Sequence, residues 1–220
     1  MIKMKYEKKA VIFDLDGVIC FTDKFHYQAW KALADKLGIY FDEKINDRLR
    51  GVSRMASLEI ILERADKEYT QEEKEAFAEE KNNIYRELLK NMSPADLTDE
   101  VRDTLNELRS RGYILTIGSS SKNTKFILER IGLGDFFDAI ADGTDITHSK
   151  PDPEVFLKSA AKVGIDPADC AVVEDARSGI QAAKAAGMTA LALHGDAEGC
   201  GEEDVWVLSP AASPARQASC

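Results

Sequence analysis

Cysteine is sparse, and none of it is arranged to bind or bridge. Cys20, Cys170, Cys200 and Cys220 stand far apart with no Cys-x-x-Cys among them, which argues against a zinc site and against a dense disulfide framework. No apolar run is long enough for a membrane span or a signal-peptide core. After the basic stretch 1–9 the first such run is interrupted by Asp14. Basic blocks are also missing: Lys and Arg number 29 against 39 Asp and Glu, for a net charge of −10, and the cations are interleaved with glutamates. Charge-driven binding to nucleic acid or to an anionic membrane is therefore not expected. There is no internal repeat. What remains is a chain of 220 residues suited to a reducing, cytoplasmic setting, long enough to bury a substantial core.

Residues 10–18, Ala-Val-Ile-Phe-Asp-Leu-Asp-Gly-Val, organise the rest. The first four are uncharged and rich in β-branched and aromatic side chains, as in a strand buried on both faces of a parallel sheet. Strand side chains alternate, so Asp14 and Asp16 start on the same side while Leu15 points away. Gly17 permits a sharp exit. Both acids are thus expected at the carboxyl end of the strand, where open α/β sheets bind their ligands.

From 21 to about 92 the periodicity is helical. Ala29, Trp30, Leu33 and Leu37 line one face of a helix over 26–37 that Gly38 stops. Met55, Leu58, Ile61, Leu62 and Ala65 repeat the pattern over 54–65, and Thr70 with Glu73 forms a capping box for a third helix reaching about 90. Beyond Ser93-Pro94, helices alternate with strands expected at 113–118, 139–141, 170–173 and 189–193. That alternation calls for a doubly wound parallel α/β sheet with helices on both faces. Because the first strand is cut off from the others, the economical arrangement is a core built from 1–20 and 93–220, with 21–92 inserted as an all-helical cap. The stretch 209–220 is rich in Ala, Ser and Pro and is expected to be disordered.

Polar clusters fall where these strands end. Gly118 is followed by Ser119-Ser120-Ser121-Lys122-Asn123, small hydroxyls before a helix start that suit a phosphate. Glu174-Asp175 ends another strand, and adjacent acids repel unless a positive charge lies among them. Asp14, Asp16 and Asp175 together suit a hard cation bound through oxygen, with Mg2+ the natural choice. Lys150-Pro151, in a loop, offers a cation for a phosphate. The combination fits phosphoryl transfer through an aspartyl phosphate, with Asp14 as nucleophile and Asp16 moving the proton of the leaving or attacking oxygen. In the helical stretch, Lys81 lies four residues from both Phe77 and Tyr85 and shares their face. His26 shares a stripe with Trp30, and the planar fork of Arg54 suits a phosphate.

On these motifs, together with Gly51-Val52-Ser53-Arg54 and Ser149-Lys150-Pro151, the chain resembles the haloacid dehalogenase superfamily over about 10–195. His26 with Ala29-Trp30, the 51–54 loop, Lys81-Asn82 and Ser93-Pro94-Ala95-Asp96 resemble its sugar phosphomutases. The resemblance implies interconversion of β-D-glucose 1-phosphate and β-D-glucose 6-phosphate through phosphorylated Asp14 and β-D-glucose 1,6-bisphosphate, the alternative being a Mg2+-dependent sugar-phosphate phosphatase. It implies Mg2+ held by Asp14, the main-chain carbonyl of Asp16 and Asp175, with Glu174 close by. Ser119 and Lys150 would hold the transferring phosphate, and Arg54, Ser121, Lys122 and Asn123 the distal phosphate and sugar. His26, Trp30, Gly51, Val52, Ser53, Lys81 and Ser120 complete the implied substrate contacts. Residues 22–26 would be the cap hinge and would sense closure. Phe21 and Ala176-Arg177 depart from the pattern, as does a tail lacking a terminal helix. A small sugar phosphate is the expected partner of a monomer, with neither nucleic acid nor membrane.

Overall fold

Ala10 to Phe13 form a strand, β1, in which all four residues are buried, so it can only occupy the middle of a sheet. In the computed structural model, which describes residues 8–49 and 53–193 and the backbone of 205–208, that is its place. Five more strands, β2 (Ile114–Gly118), β3 (Ala139–Ala141), β4 (Cys170–Glu174), β5 (Thr189–Leu193) and β6 (Val205–Leu208), complete an all-parallel sheet in the order β3-β2-β1-β4-β5-β6. Alternation divides the core. Val11, Phe13, Leu115, Ile117, Ala171 and Val173 pack on one face, and Ala10, Ile12, Cys170, Val172 and Ala190 on the other.

Helices α5 (Asp99–Ser110) and α6 (Thr124–Arg130) cover the first face, through Leu105, Leu108, Ile127 and Leu128. Helices α7 (Glu154–Lys162) and α8 (Arg177–Ala185) cover the second, through Val155, Phe156, Ile180 and Ala183. This is the doubly wound arrangement expected from the alternating pattern. β6 was not expected: four residues after a charged stretch carry too short a pattern to stand out.

Between β1 and α5 lies the helical cap: α1 (Asp23–Leu37), α2 (Glu43–Asp47), α3 (Arg54–Leu62) and α4 (Gln71–Leu89). Gly38 ends α1 with φ 70°, and the Thr70–Glu73 capping box opens α4. α2 is an addition to the expected helices; Asp42 caps it by accepting from the Ile45 amide at 2.9 Å. The cap has its own apolar cluster, with Trp30, Leu33, Leu58 and Ile61 at its centre. Its inner ends do not. Phe25, Ala29, Tyr85, Leu89 and Met92 pack into the cluster on the first sheet face. Arg130 of α6 donates to the Lys90 and Met92 carbonyls at 2.6 and 2.7 Å, tying the end of α4 to the core. The expectations for Gly51, Val52, Cys200, Cys220 and the tail 209–220 lie outside the described residues.

Since Leu89 is fully buried in a cluster shared by cap and sheet, Leu89→Ala should lower unfolding stability by ~2–5 kcal/mol in urea titration. A loss below about 1 kcal/mol would show that the two parts are not packed as one.

Candidate active site

The register of the sheet builds the site. Phe13 lies level with Ile117 of β2 and Val173 of β4, so the next residues of all three strands emerge on one rim. Asp14 is there, 7% exposed, with its amide donating to Val173 O at 3.0 Å. Lys150 reaches over from its loop. Its Nζ lies 2.5 Å from Asp14 Oδ1 and 2.7 Å from Glu174 Oε1, with the Phe156 ring centroid 4.6 Å away. Burial works to lower the Lys150 pKa, but the two carboxylates outweigh it and hold the ammonium charged.

One oxygen from each of Asp14, Glu174 and Asp175 falls within 4.8 Å of the others. Glu174 is the most engaged: Oε1 meets Lys150 and Oε2 accepts from the Ala176 amide at 2.8 Å. Burial, reinforced by neighbouring acids and opposed by Lys150, pushes Asp14 up to about 7 and Asp175 up to about 8. Three carboxylates facing one lysine leave surplus negative charge. An all-oxygen, hard donor set with that surplus fits a divalent cation of the magnesium type. Two glycines allow the acids to crowd. Gly17 has φ 86°, and a Cβ there would overlap the Asp175 carboxylate; at Gly179, in the first turn of α8, it would overlap that of Glu174. The sequence reasoning missed Gly179 and Phe156, although a glycine inside an amphipathic helix is itself a sign of close approach.

The Asp16 carboxylate stands apart from that acidic group. It accepts a hydrogen bond from the Thr22 hydroxyl at the start of α1. Burial raises it to about 6, against the lowering effect of Thr22. On the neighbouring strand end, Ser119 Oγ accepts from the Ser121 amide and Ser121 Oγ from the Asn123 amide, each at 3.2 Å. These local bonds wind the loop tightly. Ser119 and Asn123 are buried, Ser120 Oγ is buried without a hydrogen-bond partner, and Lys122 is exposed.

Across the cleft the cap presents two desolvated cations. Lys81 is 3% exposed. Its Nζ meets His26 Nδ1 at 2.9 Å and lies 4.7 Å from the ring centroids of both Trp30 and Tyr85. His26 stacks on Tyr85 with ring centroids 4.1 Å apart. Burial lowers Lys81 to about 7, Arg54 adding to the effect and Asp16 opposing it; burial also holds His26 well below its usual range. The Arg54 guanidinium donates to a neutral partner, Asn82 Oδ1, at 2.9 Å. Ser53 is exposed, and its hydroxyl caps α3 by accepting from the Ala56 amide. The structure thus brings Asp14, Asp16, Ser119, Lys150, Glu174 and Asp175 to one rim, with His26, Trp30, Arg54 and Lys81 on the cap.

The chain matches the family model of haloacid dehalogenase-like hydrolases over residues 8–187. It is 44% identical to a β-phosphoglucomutase of Bacillus subtilis over 187 residues, covering 84% of this chain and 83% of the relative. It is 36% identical to a fructose-1-phosphate phosphatase of Escherichia coli, covering 84% of this chain and 97% of that one. A crystal structure of a β-phosphoglucomutase from Clostridium difficile superposes with a TM-score of 0.82 at 40% identity, covering 92% of this chain and 91% of the other.

Raised carboxyl pKa values have a thermodynamic consequence. Where a folded-state pKa lies above the unfolded value, the folded protein holds more protons and stability falls as pH rises through that interval. For Asp14 and Asp175 the interval runs from 3.8 to about 7 and about 8. Metal-free protein should therefore lose stability from pH 5 to pH 8. Saturating Mg2+, which binds the deprotonated acids, should raise Tm by roughly 3 °C or more at pH 8 and by less at pH 6. Equal shifts at both pH values, or none, would contradict the assignment.

Proposed function

This chain belongs to the haloacid dehalogenase-like hydrolase family, and from that premise we propose that it is a phosphomutase. It interconverts β-D-glucose 1-phosphate and β-D-glucose 6-phosphate through an aspartyl phosphate on Asp14 and a β-D-glucose 1,6-bisphosphate intermediate. The relatives from Bacillus subtilis and Clostridium difficile support that reading. One observation carries it: opposite the Asp14–Lys150 rim, the cap holds Arg54 and Lys81 against neutral partners, Asn82, His26 and two aromatic rings. Among the described residues neither the buried Lys81 nor the half-buried Arg54 forms an ion pair with a carboxylate, which leaves both open to an anion. A substrate phosphorylated at both ends needs such a second locus; simple hydrolysis of a monoester does not.

The carboxylate of Asp14 attacks phosphorus, forming an Asp14 O–P bond as the bond to the sugar oxygen breaks. Asp16 gives that leaving oxygen its proton. In the other half-reaction Asp16 takes the proton of the free hydroxyl of a glucose monophosphate as that oxygen attacks the phosphoaspartate and the Asp14 O–P bond breaks, which gives the bisphosphate whose other phosphoryl group Asp14 then takes. Its raised pKa of about 6 suits a group that must both give and take a proton near neutrality. Lys150, held between Asp14 and Glu174, offsets the negative charge gathering on the phosphoryl oxygens, and Ser119 holds the same group. Mg2+ would be held by Asp14, Asp175 and the main-chain carbonyl of Asp16, with Glu174 beside it, and would supply charge neutralisation to the transferring phosphoryl group. Arg54, Ser121, Lys122 and Asn123 hold the distal phosphate and sugar, together with His26, Trp30, Lys81 and the 51–53 segment. Residues 21–92 act as a cap over the core formed by 1–20 and 93–220, and its closure keeps water from the phosphoaspartate. With Cys20 and Cys170 free and buried, the cytoplasm is a fitting location. The Escherichia coli relative favours the second reading, a phosphatase in which water takes the phosphoryl group.

Incubation with β-glucose 1-phosphate, Mg2+ and catalytic β-glucose 1,6-bisphosphate should yield glucose 6-phosphate as the main product. Inorganic phosphate as the main product would favour hydrolysis instead. Asp14→Asn should abolish turnover, and Asp16→Asn should slow transfer about 100-fold or more; an unchanged rate in either variant would remove that residue from its role.

A further inference from the structure

Asn82 stands in the middle of α4, and a single atom of its side chain is bonded from both sides of the cleft. Its Oδ1 accepts from Arg54 Nη2 of the cap at 2.9 Å and from Asn123 Nδ2 of the core at 3.2 Å. A guanidinium has only donors, so Arg54 decides which way the Asn82 amide faces; turned over, the amide would set N–H against N–H. That orientation is also the one that receives Asn123. The same face of α4 continues toward the core through Arg86, over the Phe126 ring at 5.8 Å, and through the Lys90 and Met92 carbonyls gripped by Arg130. The seam between α4 and the 123–130 segment is therefore fixed at one end by several charge-assisted bonds. At the cleft end a neutral amide contact joins the two.

We propose that Asn82 is a positioning residue that orients the Arg54 guanidinium by accepting from it, with the accepting oxygen itself anchored to the core through Asn123. An anion that engages Arg54 does so with the guanidinium already oriented. The inference rests on reading the cleft as a two-phosphate site, and it adds to that site a residue that holds Arg54 rather than the substrate.

The test compares Asn82→Ala and the similarly sized Asn82→Leu with wild type, each alone and in an Arg54→Ala background, after thermal melts confirm that every variant is folded. Loss of the accepting oxygen should raise KM for β-glucose 1-phosphate about tenfold or more, with kcat changed less, and should raise the share of turnover lost as inorganic phosphate. In the Arg54→Ala background the same substitutions should add less than about threefold, because the group that Asn82 orients is gone. A KM within about twofold of wild type would overturn the proposal, as would a full additional effect without Arg54. A purely structural role would lower Tm and leave KM in place. Should wild type release chiefly inorganic phosphate, the mutase reading fails, and the Asn82 comparison is then read on the KM of hydrolysis.

Discussion

A single buried ammonium makes the catalytic rim possible. Moving a charge out of water costs several kcal/mol, and that cost is offset only where the geometry is good. Lys150 meets both Asp14 and Glu174 within 2.7 Å, with its side chain 8% exposed. It therefore sets one positive charge between two neighbouring carboxylates and opposes the burial that raises the Asp14 pKa. In the proposed reaction the pair also prepares the chemistry, since the charge of Asp14 is already opposed before a phosphate dianion approaches. Asp175 brings a third acid to the same point, and that surplus defines the cation the site would accept.

The sheet determines who meets whom. Parallel strands in this register bring Phe13, Ile117 and Val173 level, and the residue types change at that line from apolar to reactive. A slip of one position would turn Asp14 to the opposite face. Two helices on each side hold the register by burying alternate residues of each strand. The cap, whose inner ends share the core's apolar cluster, is positioned by the same packing that holds the sheet.

Much of this was legible from the sequence, for a physical reason. The strands are short apolar runs that stop abruptly at Asp14, Ser119 and Glu174, so chemistry and secondary structure change at the same residues. The C-terminal end of α1 and the capping box of α4 were legible through Gly38, Thr70 and Glu73, while α1 begins at Asp23, three residues before the expected start. What escaped depended on contacts that no local pattern encodes. Asn82 was legible as part of the Lys81-Asn82 motif, but not its bonds to Arg54 28 residues away and Asn123 41 away. Phe156 lies under Lys150 while reading as one more apolar helix residue. His26 could be read as a packed histidine or as a site residue; it stacks on Tyr85 and meets Lys81.

Convergence of acids from β1 and β4 on one cation is the claim from which the rest follows. It is tested most directly by locating that cation: a crystal grown with Mn2+ in place of Mg2+, with anomalous scattering marking the metal. One peak about 2.1–2.3 Å from carboxylate oxygens of both Asp14 and Asp175 is the expected result. A metal bound elsewhere, or bound by only one of the two, would contradict it.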